Sequence, residues 1–469
     1  MSLIALKAGA RAPKLLLRKG AVLAMLSATA LCLSSVGVQA KVPADQAKKL
    51  GTSLTPVGAE MNGTPDGVIP PWTGGITSPP ANYVEGEHEA DPFSQDGTRF
   101  VVTKENLDKH ASVLSEGHKA MFEKHPGYTM PVYPTHRSAS YPEFVYKALK
   151  KNATTAELMP RGTGVRKAIT TSPFPIPQEA VEIVWNHVLR FRGEEVAMRT
   201  GFSAVAPDGT ANTILYSQEY LFNYSKEGAT IREIDNNLFM LKTEVLAPAK
   251  LAGTINLIHE SVDLVASPRK AWRYVAGERR LRRSPYLAYD AEFPNSQGLK
   301  FIDQIDMYNG APDQYEWTMA GKKEILIPYN AYKLHSGKVG ETDIIKKGHI
   351  NQDLTRYELH RVWVVEGERR TGIQHAFAKR TLYVDEDSWQ VVLEEGYNED
   401  GKLTRFAEGH MINYYTVPVP WTTTEVTYDM ESGRYFVEGL DNKERPRDFA
   451  PRLKEQDFST SAVRRDAKR

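Results

Sequence analysis

The chain has 469 residues, with 59 Lys and Arg against 58 Asp and Glu and a formal charge of +1. A first segment of forty residues carries five of those bases and no acid, so the remainder holds 54 bases against 58 acids, a net of −4. That balance excludes a general polyanion binder. The one cysteine, Cys32, lies in that same segment, which excludes disulfides, zinc fingers and cysteine nucleophiles from the rest.

In chain order, Lys7, Arg11, Lys14, Arg18 and Lys19 precede an apolar run, "AVLAMLSATALCL", and a small-residue exit with Val38 and Ala40. This order predicts a signal peptide over residues 1–40, cleaved after Ala40, and hence an exported, periplasmic protein, peripheral at most to the outer membrane. The run is short for a permanent span, and Leu31 before Cys32 is too bulky for a lipoprotein signal. No later stretch reads as a transmembrane helix.

Residues 41–175 read as an N-terminal arm with two helices. Pro and Gly punctuate "TPVGAEMNGTPDGVIPPWTGGITSPP" without a sustained period, with Trp72 and Ile76 as apolar anchors. Leu107, Ala111, Leu114, His118 and Met121 recur at helical spacing, as do Phe144, Val145, Ala148 and Leu149. Residues 176–442 read as the β domain. It opens with a one-sided helix over 178–190, marked by Val181, Val184, Trp185, Val188 and Leu189, which predicts burial against a sheet. From about residue 194 the period becomes two, as in Val196, Met198, Thr200, Phe202 and Ala204, and Pro207-Asp208-Gly209 and Asp400-Gly401 mark hairpin turns. Strand after strand without helices between predicts a mainly β protein with some α. Its large antiparallel sheet curls around the buried helix, because a flat one would expose an edge and an apolar face. The charged tail from 443 is expected to fray.

"LTPVGAEMNGTPDGVIPPWTGGI", "MPVYPTHRSASYP", "RKAWRYVAGERRLRRSPYLAYD", "YVDEDSWQVVLEEGYNEDGKLTRFAEGHMINYYTVPVPW" and "YDMESGRYFVEGLDN" together resemble a family of Gram-negative exported proteins. That family is domain of unknown function 1329, often labelled outer-membrane lipoprotein-sorting protein. The resemblance covers nearly all of the chain beyond the leader. It implies a fold similar to the carriers LolA and LolB: an unclosed antiparallel half-barrel, its mouth plugged by helices, around an apolar cavity for acyl chains. It also implies an envelope transporter as partner, since members are often encoded beside resistance-nodulation-division type transporters. The arm and helices before residue 176 have no counterpart in those smaller carriers.

Catalytic signatures are missing: there is no G-x-S-x-G, H-E-x-x-H, P-loop or G-x-G-x-x-G. "EGEHEAD" at 85–91 and His259-Glu260 lack a second ligand at helical spacing, so no metal or cofactor is expected. His360, inside a strand, reads as hydrogen-bonded rather than catalytic. Residues 269–283 hold seven bases against one acid, Glu278. They read as a hairpin in which Arg279, Leu281 and Arg283 share a face, and Trp272 and Tyr274 share another opposite Arg273. Two readings stay open: arginines that blunt an exposed edge, or Arg279 and Arg283 gripping a phosphate or carboxylate head group. Trp185 and Trp363 read as core or as cavity lining. The functional expectation is a non-catalytic lipid or hydrophobic-molecule carrier, with Arg279, Arg283, Leu281, Trp272, Tyr274, Trp185 and Trp363 as candidate ligand contacts. The rivals are a structural or assembly partner of a transporter and an enzyme acting on a hydrophobic substrate, with Glu358 or Asp303 as its carboxylates.

Overall fold

The computed structural model describes residues 42–284 and 289–467. The leader, with Cys32 and the expected cleavage point after Ala40, lies outside the described residues. Strands β1 (Phe100–Val102), β2 (Met130–Val132), β3 (Glu157–Leu158) and β4 (Val165–Arg166) precede the long ones. These are β5 (Glu195–Val205), β6 (Ala211–Leu221), β7 (Asn237–Ala247), β8 (Ile255–Ser261), β9 (Lys270–Val275), β10 (Arg280–Arg283) and β11 (Tyr315–Pro328). β12 (Tyr357–Arg369), β13 (Lys379–Asp385), β14 (Val391–Tyr397), β15 (Leu403–Tyr414), β16 (Val419–Asp429) and β17 (Tyr435–Leu440) complete the set.

Among the described residues, fifteen strands form one sheet. It runs from β12 through β17 and on through β5 to β10, with β11 and the short β1–β2 pair beside β12. The late strand β17 pairs with the early β5, Tyr435 opposite Val205, which joins the two halves of the chain. Among the described residues β10 and β11 share no ladder, so the sheet is an unclosed half-barrel. Its ladders are antiparallel apart from a single parallel pairing of Tyr357 with Val132. The two expected hairpin turns join β5 to β6 and β14 to β15.

The Ala180–Val188 helix is buried from Glu182 to Val188, as its one-sided pattern predicts, and packs on β11 and β12. Thr55, Val57, Ala59 and Ile69 of the arm are buried, and Trp389 donates its indole N–H to the Val57 carbonyl at 3.0 Å. No helix among the described residues is long and apolar enough to cross a membrane.

Two expectations are corrected. Leu107 to Met121 do not form one helix. The chain makes Leu107–His110 and a 3₁₀ turn, then starts afresh at Ser115, whose hydroxyl accepts the His118 N–H at 3.2 Å and caps Glu116–Lys124. The tail does not fray either: Phe458 and Val463 are both 0% exposed, packed with Leu257 and Tyr274. The apolar Phe458, Ala462 and Val463 lie on one side of the Thr460–Asp466 helix and its approach, enough to hold a short charged tail down.

Candidate functional site

Alternation along four neighbouring strands turns one set of side chains toward the hollow of the half-barrel. Met198, Thr200 and Phe202 of β5 sit beside Tyr216, Gln218 and Tyr220 of β6, followed by Leu241 and Thr243 of β7 and Asn256 and Ile258 of β8. The opposite wall is Phe293, Pro294, Ile302, Ile305 and Asp306, with Trp421 to Thr423 and Glu425 of β16. The space between holds about 860 Å³ free of protein atoms, its mouth included. The centre of a water molecule fits in only about 100 Å³ of it, so the slot is narrow.

The charges in the far wall neutralise one another. Asp306 takes Arg190 at 2.6 Å, Arg192 at 2.5 Å and the indole N–H of Trp421 at 3.0 Å. Against burial, which would raise it, these arginines hold the Asp306 carboxyl far below the usual range. Lys300 lies between Glu425, at 3.0 Å, and Glu438. Three cations thus meet three carboxylates. Burial first, and Arg190 beside it, push His187 down to about 3. The neutral ring accepts the Val391 N–H at Nδ1 (3.0 Å) and donates Nε2–H to the Asp306 carbonyl (2.9 Å), so the buried helix anchors the wall.

A polar row leads outward. Pairing sets Met198 opposite Gln218, Gln218 opposite Thr243, Thr243 opposite Asn256, Asn256 opposite Arg273 and Arg273 opposite Arg282. Asn256 donates to the Thr243 hydroxyl at 3.1 Å, yet its Oδ1 and the Nε of Arg273 are buried with no hydrogen-bond partner among the described residues. Such groups are costly unless something satisfies them. Arg282 pairs with Glu278 at 2.9 Å in the open.

The seven residues expected from sequence lie elsewhere. Leu281 pairs with Tyr274 and Arg283 with Trp272. The apolar members of that set face the other side of the sheet, with Phe458 and Val463 of the tail. Arg279 sits exposed in the turn at φ 51°, and Arg283 is exposed at the strand end. Trp185 is core, its indole N–H on the Gly162 carbonyl at 2.9 Å. Trp363 stacks on Trp389 at 6.5 Å, with the Lys322 ammonium 4.8 Å from its ring. The pairing brings together Leu281, Tyr274 and Trp272, but for packing and not at the slot. Sequence reasoning missed Arg273, Asn256, Thr243 and Gln218. The apolar spacing of Phe458 and Val463 would have shown which side of the hairpin is covered.

Fold and slot define an open β half-barrel with a narrow, mostly apolar cleft and a basic edge. The chain belongs to the family described as "Protein of unknown function (DUF1329)", whose profile matches residues 101–464. It is 43% identical over 442 residues to "Uncharacterized protein PA3922" of Pseudomonas aeruginosa, covering 94% of this chain and 97% of that one. Among solved structures it is similar to a putative outer membrane lipoprotein-sorting protein domain from Vibrio parahaemolyticus. There the identity is 14% and the TM-score 0.40, over 58% of this chain and 91% of that one. It is also similar to LolA superfamily protein NE2245 from Nitrosomonas europaea, with 13% identity and a TM-score of 0.37, over 61% and 100%.

Proposed function

We propose that this protein is an exported, periplasmic carrier that holds one acyl-chain amphiphile in the slot, tail inward and anionic head at Arg273. The slot itself carries the reading: a narrow, preformed, mostly apolar space whose inner charges are already paired, with unsatisfied polar atoms on the way out. Each methylene moved from water contributes about 0.8 kcal/mol, so a sixteen-carbon tail gains on the order of 10 kcal/mol before ordering costs. Such binding needs no catalytic group. The guanidinium of Arg273, next to Asn256, supplies the planar donors that a carboxylate or phosphate head takes in pairs. Delivery to or from an envelope transporter is the setting we propose for it.

Native mass spectrometry of protein purified from its own envelope should show a co-purifying amphiphile of one to one stoichiometry. With a fluorescent sixteen-carbon fatty acid as probe, Thr243→Phe, which fills the slot, is expected to weaken binding at least tenfold. Arg273→Gln should weaken binding of the acid but leave the matching fatty alcohol unchanged. Unaltered affinity in both variants would overturn the proposal.

A further inference from the structure

The loop "EGEHEAD" offers one imidazole and no helical partner, but the fold supplies the partners from far along the chain. His88 of the arm, His335 at the end of the Tyr332–His335 helix and Asp441 just past β17 bring three donor atoms within 4.8 Å of one another. His88 Nε2 lies 3.1 Å from the Glu444 carbonyl, which can only accept, so the proton is on Nε2 and Nδ1 carries the bare lone pair. That Nδ1 is buried and has no hydrogen-bond partner among the described residues. His335 Nε2 lies 2.9 Å from the Glu89 carboxylate, which holds the ring by that nitrogen and turns Nδ1 toward Asp441. Nδ1 of His335 is 3.8 Å from Asp441 Oδ1 and 2.6 Å from the Thr423 hydroxyl, a hydrogen bond that the ion displaces on binding. Asp441 is 2% exposed, and neither of its carboxylate oxygens has a hydrogen-bond partner among the described residues.

We infer that His88, His335 and Asp441 form a binding site for one divalent transition-metal ion of the zinc class, which staples the arm to the sheet. Two imidazoles and a carboxylate are a common zinc donor set, with water as fourth ligand. A histidine ligand usually donates its other N–H to a carboxylate or a carbonyl, and Glu89 and the Glu444 carbonyl stand in those places. Zn–N bonds of about 2.0–2.1 Å set donors roughly 3.3 Å apart, so donor atoms that lie within 4.8 Å of one another close in by up to about 1.5 Å on binding. Arg447 lies 3.5 Å from Asp441 Oδ2, and Glu89 adds a second carboxylate to the surroundings of its guanidinium. The site adjoins a polar cleft lined by His88, Glu89, Asp91 and Glu444, which gives the ion an entry path and its water.

A second trio, His360, Asp385 and Asp387, lacks these features. Both carboxylate oxygens of Asp387 already face the Arg137 guanidinium at 2.7 Å, which opposes a cation there.

The test uses the full chain without its leader, stripped by a chelator and titrated with Zn²⁺ in competition with a chromophoric chelator. One ion per chain is expected. His88→Ala, a change in the arm that leaves the sheet core intact, should weaken binding at least a hundredfold, and Asp441→Asn should do likewise. Glu89→Gln should cost about ten- to a hundredfold. Zn²⁺ should slow proteolysis within residues 82–96 of the wild type and not of His88→Ala. Absence of stoichiometric Zn²⁺, affinity unchanged in His88→Ala, or affinity lost in His360→Gln instead would overturn the site. None of these readouts depends on a ligand in the slot.

Discussion

Asp306→Ala is expected to lower folding stability by about 3–5 kcal/mol, read as a fall in the urea midpoint at unchanged slope. The carboxylate is the only acid holding Arg190 and Arg192 among the described residues, and both guanidiniums are buried. Removing it leaves two buried guanidiniums without their carboxylate and frees the Trp421 indole N–H. Alanine also tolerates poorly the left-handed backbone at this position, φ 55°. Asp306→Asn keeps that tolerance and the side-chain shape, so it isolates the charge, and it too should lose most of the stability. The same carboxylate sets an acid limit. Its folded-state pKa lies below the unfolded one, as does that of Asp303, held at about 2 by Arg380 and His375 against the burial that would raise it. Stability from both is present above the ordinary carboxylate range near 3.8 and is lost as pH falls through the folded values. An Asp306→Asn variant within 1 kcal/mol of wild type would show that the arginines find other partners.

The half-barrel was legible because its long strands alternate and their turns are marked by Pro207-Asp208-Gly209 and Asp400-Gly401. The slot was not, for a physical reason. Large aromatics drew attention to Trp185 and Trp363, yet a hollow forms where side chains stop short, and such rings fill the space that they occupy. The slot wall sets mid-sized Thr200, Gln218, Leu241, Thr243 and Asn256 among the rings of Phe202, Tyr216, Tyr220, Phe293 and Trp421. Alternation places Met198, Thr200 and Phe202 on one face but cannot say which face is hollow, because both are covered. The stretch 293–306 lies over one and the tail over the other. The stretch 293–306 has no period to read, and the donors of the metal site are separated by hundreds of residues. Only folding reveals them.

Asp385→Asn is expected to stabilise the protein at pH 8, by up to about 4 kcal/mol, with the gain shrinking toward zero near pH 4. Asp385 is 0% exposed beside Asp387, and its Oδ1 has no hydrogen-bond partner among the described residues. Burial first, and the like charge of Asp387 next, push its carboxyl up to about 7. The sign follows from that direction. A folded-state pKa above the unfolded one means that the native state holds the proton more tightly, so its contribution is complete below about 4 and is lost as pH rises through about 7. At pH 8 the wild type must bury a charge that has hydroxyls but no ion-pair partner among the described residues, with Ser388 donating at 2.5 Å and Tyr329 at 3.5 Å, whereas asparagine is neutral there at nearly the same volume and can still accept the Ser388 hydroxyl. Asp387→Asn should do the reverse and destabilise at every pH above the acid range, because it strips the bidentate partner from buried Arg137. Urea melts of both variants between pH 4 and 8.5 decide the point. A loss of equal size at all pH values in Asp385→Asn would mean that the carboxylate is satisfied as a charge, and the contrast between these two neighbours would vanish.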